Sequence, residues 1–144
     1  MRRVGLASVV VLLALGFVTR SIAADDAYKI IVHPDNPTTS VDRDFLRKAY
    51  LKKAVEWKHG EAIHPVDLPA KTPARDKFVH DVLKKTPEQL KAYWNQQIFS
   101  GKAVPPPEVG SPAEMIGYVV ATPGAIGYLP SGVDPGGAKV VEVK

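Results

Sequence analysis

The stretch His64–Leu83, HPVDLPAKTPARDKFVHDVL, changes its hydrophobic period partway along. Around its start, Ile63 and Val66 alternate weakly with polar neighbours, so Ala62–Leu68 reads as a strand. Thr72-Pro73 then supplies a hydroxyl at a helix N-cap and a proline at the first helical position, where its missing N–H leaves no bond unmade. Beyond it Phe78, Val79, Val82 and Leu83 recur at helical spacing. A strand that feeds a helix through a short polar turn is the building unit of an α/β domain.

The flanking segments keep that alternation. Towards the N-terminus, Tyr28–His33 (YKIIVH) is a β-branched strand stopped by Pro34. Asp42 is a good N-cap for a helix over Arg43–Leu51, with Val41 and Leu46 as its hydrophobic staple. Towards the C-terminus, Thr86-Pro87-Glu88-Gln89 is a capping box, followed by Leu90, Tyr93, Trp94, Gln97 and Ile98 at helical spacing until Gly101. Tyr93, Trp94 and Phe99 read as core packing sooner than as a platform for a planar ligand. Three consecutive prolines make Val104–Val109 an extended connector. Ser111-Pro112 starts a last helix that Thr122-Pro123-Gly124 breaks, and strands follow at Ala125–Leu129 and Lys139–Val143. Strands separated by helices, with no internal repeat, predict an α/β domain with a covered sheet.

Ahead of this domain, Arg2 and Arg3 precede the apolar run Val4–Val18, and Ser21-Ile22-Ala23 has the small residues of a cleavage site. Residues 1–23 are therefore expected to be a secretory signal peptide, too short in its apolar part to span a bilayer, leaving 24–144 as one domain. The 144-residue chain carries 19 Lys and Arg against 15 Asp and Glu; losing Arg2, Arg3 and Arg20 leaves 16 against 15, so +4 becomes +1. That balance gives no case for a nucleic-acid partner. With no cysteine, the exported domain has no disulfide or thiolate site and relies on an ordinary core.

No nucleophile elbow, zinc-protease helix, phosphate-cradling glycine loop or dinucleotide fingerprint occurs, so no catalytic residue and no cofactor is expected. The four histidines, His33, His59, His64 and His80, with Asp67 are suitable metal ligands but lack the tight spacing of a structural site, so no metal is assigned. The start of the 72–83 helix is more informative. Free amides and about half a positive charge suit an oxyanion there, whereas Lys71 and Arg75 at that end cost roughly 0.3 to 1 kcal/mol each without one. Thr72 would offer a hydroxyl, Ala74 and Arg75 their amides, and Arg75 its planar fork. An alternative stays open, in which Thr72 only caps and Arg75 pairs with Asp76 or Asp67 in solvent. Gly124 and Gly127, with Tyr128, suit either a loop beside such a ligand or a tightly packed strand.

Several stretches together, IIVHPDNP (Ile30–Pro37), VDRDFLRKAYLKKAVEW (Val41–Trp57), HPVDLPAKTPARDKF (His64–Phe78), YWNQQIFSGKAVPP (Tyr93–Pro106) and TPGAIGYLP (Thr122–Pro130), resemble the phosphate-binding branch of the type II periplasmic binding proteins, and most closely its short, substrate-binding-like members. The resemblance implies an α/β fold, one lobe of that kind, with a small mixed sheet covered by helices. It implies a periplasmic or secreted, non-catalytic protein that binds phosphate or a similar oxyanion and serves an ABC transporter. Full-length members contact phosphate with Ser-Gly-Thr at a helix start, then Arg and, three residues later, Phe. Counting back from Phe78 puts Thr72, Pro73, Ala74 and Arg75 at those positions, so one hydroxyl and one amide donor are missing. The length matches only the second lobe of the larger relatives, and a half-site open to water implies roughly millimolar affinity, near 4 kcal/mol. The competing expectation is a lobe that has lost its small molecule and acts as an interaction module, either a homodimer or a partner of a membrane complex.

Overall fold

Asp42, Thr86 and Ser111 open three helices by the same chemistry. Asp42 Oδ1 accepts the Phe45 N–H (2.6 Å) at the start of α1 (Arg43–Tyr50). Thr86 Oγ1 accepts from Gln89 N–H (3.2 Å) while Gln89 Oε1 accepts from Thr86 N–H (3.0 Å), closing the expected capping box on α3 (Pro87–Phe99). Ser111 Oγ accepts the Glu114 N–H (3.2 Å) of α4 (Pro112–Ala121). The remaining helix, α2 (Pro73–Phe78), departs from this pattern. Thr72 donates its hydroxyl to the Pro69 carbonyl (2.8 Å) and makes no side-chain cap, and the helix runs on into a π-turn over Val79–Leu83. The expected single 3.6-period helix is thus two pieces, although Phe78, Val79, Val82 and Leu83 are all buried.

The computed structural model describes residues 27–144, and the expected leader, residues 1–23, lies outside them. Five strands, β1 (Tyr28–Val32), β2 (Ser40–Val41), β3 (His64–Pro65), β4 (Ala125–Pro130) and β5 (Lys139–Val143), form one mixed sheet in the order β2-β5-β1-β4-β3. Strand β1 pairs antiparallel with β4 (Ile31 opposite Gly127) and with β5 (Ile31 opposite Val140), while β2 joins β5 and β3 joins β4 in parallel. The strand expected over Ala62–Leu68 shrinks to two residues. Its Pro65 has no N–H to give, and beyond it Asp67 pairs with the proline connector, donating to Pro107 O (2.9 Å) and accepting from Val109 N–H (2.9 Å).

Helix α4 packs on β4 and β1, α2 packs on β1, and α1 packs on the π-turn. The α4 packing depends on Gly127, because a Cβ there would stand 2.4 Å from Met115 Sδ. Ile30, Ile31, Val32, Leu46, Tyr50, Phe78, Met115, Ile126 and Tyr128 form the centre of the core. Among the described residues no helix is long and apolar enough to cross a membrane.

Candidate functional site

Aromatic packing fixes where α2 begins. The Phe78 ring stacks on Tyr128 of β4 (4.2 Å between centroids, 3° between planes) and meets Tyr50 of α1 edge-on (4.7 Å). Tyr50 in turn donates its phenol to the Val66 carbonyl (2.9 Å), tying α1 to the segment that leads into α2. With its far end held, α2 starts beside the start of α4. A cavity of about 240 Å³ lies between them, lined by Leu68, Thr72, Ala74, Gly110, Ser111 and Pro130.

Two helix N-termini thus meet one small space. The N–H groups of Ala74 and Arg75 on α2, and of Ala113 on α4, have no acceptor among the described residues. Ser111 Oγ accepts from Glu114, which leaves its own proton free to donate. The Gly110 N–H, also on the cavity wall, is already taken by Glu114 Oε2 (2.6 Å). Ser111 was visible in the sequence only as a helix start, because its approach to Thr72 is a tertiary contact.

The other two expected contacts face elsewhere. Lys71 and Arg75 line a second, larger groove on the far side of α2. Arg75 Nη1 donates to the Leu68 carbonyl (2.7 Å) and to Glu108 Oε2 (2.6 Å), and its Nη2 lies 3.9 Å from Asp67 Oδ2. Burial works against the guanidinium charge, but Asp67 and Glu108 more than offset it and hold the pKa up. Asp67 is itself buried and accepts from the Tyr128 phenol (2.8 Å). Burial pushes its carboxyl above the usual range, with Arg75 and Tyr128 acting the other way. Burial, and then the Asp67 charge, likewise raise the Tyr128 phenol. The pairing of Arg75 with Asp67 was one of the two readings open in the sequence, and Glu108 was missed because that contact joins residues 33 apart.

Tyr128 sits in the core next to Asp67, whereas Gly124 and Gly127 line neither space. The Gly124 carbonyl accepts from Trp57 Nε1 (2.9 Å), and a Cβ at this position (φ +80°) would stand 2.0 Å from the Ala62 carbonyl oxygen. His59 pairs with Glu61 and His80 with Asp81, and among the described residues no three His, Asp or Glu side chains gather as a metal site. Trp94 is buried as expected of a core residue, but Phe99 is 95% exposed.

No protein-family model matches the sequence, and no curated protein matches it. Solved structures do share its fold. A putative phosphate ABC transporter substrate-binding protein with bound phosphate from Clostridium perfringens superposes with a TM-score of 0.63 at 21% identity, over 83% of this chain and 47% of that one. An ABC-type phosphate transport receptor from Vibrio cholerae gives 0.62 at 20% identity, over 81% of this chain and 45% of that one. PstS from Borrelia burgdorferi gives 0.60 at 19%, over 82% and 47%. The chain spans less than half the length of each. Its described residues have the PstS-like fold of these phosphate-transport binding proteins.

Proposed function

We propose that this is an exported solute-binding protein of the periplasm or extracellular space, without catalytic activity, whose domain over 24–144 holds phosphate or a similar oxyanion for an ABC transporter. Residues 1–23 act as its cleaved leader. The observation that carries the reading is the convergence of the α2 and α4 N-termini on one 240 Å³ cavity, on the fold of a neighbour solved with phosphate bound. Helix starts present amide donors and a partial positive charge to an anion. In this reading the amides of Ala74 and Arg75 and the Ser111 hydroxyl donate to the oxyanion. Thr72 completes the wall and turns its hydroxyl from Pro69 to the ligand. Lys71 and the Arg75 guanidinium, on the other side of α2, add attraction at longer range. A half-site open to water screens these contacts, so affinity is expected near millimolar, around 4 kcal/mol.

Calorimetric titration of the purified protein with phosphate at low salt, with sulfate as control, tests this. Saturable heat that disappears in Thr72→Glu is the expected result. The glutamate would set a carboxylate at the same amides while suiting the helix dipole. No heat up to tens of millimolar, or heat indifferent to Thr72→Glu, removes the site.

One observation favours a second reading. The Thr72 hydroxyl is spent on Pro69, and Pro73 and Ala74 offer one amide and no hydroxyl. A protein-interaction module that has lost its small molecule, working as a homodimer or on a membrane complex, fits that poverty of donors. Light scattering that shows a dimer in a protein blind to phosphate would support it.

A further inference from the structure

The larger groove beside α2 has features that phosphate does not use. Its volume is about 1120 Å³, enough for a ligand of many heavy atoms. Val79, Leu90, Trp94, Ile98 and Pro105 form an apolar floor between the π-turn, α3 and the proline connector. Ile98 is 52% exposed there.

The rim is cationic. Lys71, Lys84, Lys85 and Lys91 line the groove, and none of them forms an ion pair among the described residues. Of the carboxylates that line it, Asp67 and Glu108 are turned to Arg75, which leaves Asp76 and Glu88 against four lysines. The backbone marks the same place. Only three non-glycine residues among those described have positive φ, and two of them, Lys71 (φ +67°) and Lys84 (φ +55°), stand on this rim at the two ends of the α2–π-turn segment. Left-handed lysines are uncommon, and they persist where the surrounding structure dictates the backbone. The π-turn between them is a second irregularity of the kind that gathers at binding sites.

An apolar floor beside lysines that form no ion pair is complementary to one chemistry. We propose that this groove binds a free single-chain anionic amphiphile, its alkyl chain along Leu90, Trp94 and Ile98 and its carboxylate, sulfate or phosphate head at Lys71 and Lys84. A small inorganic anion would leave the floor bare. An uncharged hydrophobe would leave four lysines facing only Asp76 and Glu88. The site is separate from the α2–α4 cavity and stands or falls independently of it.

Trp94 is the natural reporter. The chain's other tryptophan, Trp57, lies away from the groove with its indole on the Gly124 carbonyl, so Trp57→Phe isolates the Trp94 emission. Calorimetry on the unaltered protein serves equally if that variant folds poorly. The probes are dodecanoate and the uncharged dodecyl maltoside, each below its micelle concentration. Dodecanoate should produce a saturable change in Trp94 emission intensity, with dodecyl maltoside weaker by at least about tenfold. Ile98→Asp, and Lys71→Glu combined with Lys84→Glu, should each weaken dodecanoate by about tenfold or more while the circular dichroism is unchanged. Thr72→Glu should leave dodecanoate binding intact, and Ile98→Asp should leave phosphate heat intact, so that failure of one site is distinguishable from failure of the other. Equal affinity for both amphiphiles, no saturable response by either method, binding only to phosphatidylglycerol vesicles, or a concentration-dependent dimer that occludes Trp94 would overturn the proposal.

Discussion

Gly127 lies on β4 directly against α4, where an added methyl would stand 2.4 Å from Met115 Sδ and 3.1 Å from Val119 Cγ2. Overpacking of this kind costs about 1 to 3 kcal/mol, so Gly127→Ala is expected to lower the urea midpoint by that much stability at unchanged slope. Gly124→Ala should cost more, because its Cβ meets a backbone oxygen that cannot rotate away and its φ of +80° suits glycine alone. Equal losses at the two positions would contradict this packing. Asp67 makes a second prediction. Its raised carboxyl keeps a proton that the unfolded chain, near pKa 3.9, releases, so its contribution to stability falls as pH rises from about 4 through the folded value and is level beyond it. In Asp67→Asn that slope is gone, so the stability of the variant relative to the parent should rise with pH across the window. Asp44, lowered by Lys48 and Arg47, and Asp81, lowered by His80 and Lys77, slope the opposite way but are common to both proteins and cancel. A difference that is flat with pH would mean that Asp67 titrates like a surface carboxylate. The tight packing at Gly124 and Gly127 was one of the two readings their spacing allowed, whereas the surroundings of Asp67 were not legible. Asp67 and Arg75 are eight positions apart, near enough in sequence to suggest a pair, whereas the Tyr128 phenol and Glu108 reach them from distant strand and connector.

Elements whose ends are closed by their own residues were the legible ones. Asp42, Thr86 and Ser111 cap as their sequence implies, and the helices they open begin at the expected residues. Elements decided by partners were not. Strand β2 is two residues whose pairing with β5 joins Ser40 to Glu142, and the loss of most of the expected 62–68 strand follows from Asp67 choosing the proline connector. The hydrophobic stripe at 78, 79, 82 and 83 fits a π-turn as well as an α-helix, because both bury the same residues. Helix α3 offers the test at this scale. Only Leu90 and Trp94 of its residues are buried, and Tyr93 adds one phenol bond to the Leu51 carbonyl (2.6 Å), so the cap is a large share of what holds it. Thr86→Ala should cost about 1 kcal/mol. Hydrogen exchange should place the loss of protection in α3 and spare β1 and β4; a uniform loss would show that α3 opens only with the whole domain.

At the scale of the molecule, the alternation of strands and helices was enough to give an α/β domain, but not the order of its sheet. Strand β5 returns from the end of the chain to lie between β2 and β1, a choice made by long-range pairing and invisible to local pattern. The same limit divided the candidate site. The four expected residues fall within the five positions 71–75, yet the helix they start separates them, with Thr72 and Ala74 on the small cavity and Lys71 and Arg75 on the large groove. That division makes a prediction about the protein as a whole. An anion that binds the folded state alone stabilises it by RT ln(1 + [L]/Kd), which is about 1.4 kcal/mol at ten times Kd and about 5 °C in melting temperature for a domain of this size. If the small cavity is the site, phosphate should raise the melting temperature by this amount over an equal ionic strength of sodium chloride, and Thr72→Glu should abolish the rise. Removing one groove charge by Lys84→Gln should trim it only slightly, since a lysine acting across α2 does so through screened solvent. A rise that survives Thr72→Glu but vanishes in Lys84→Gln would move the anion site to the other face of α2, and with it the role of the groove.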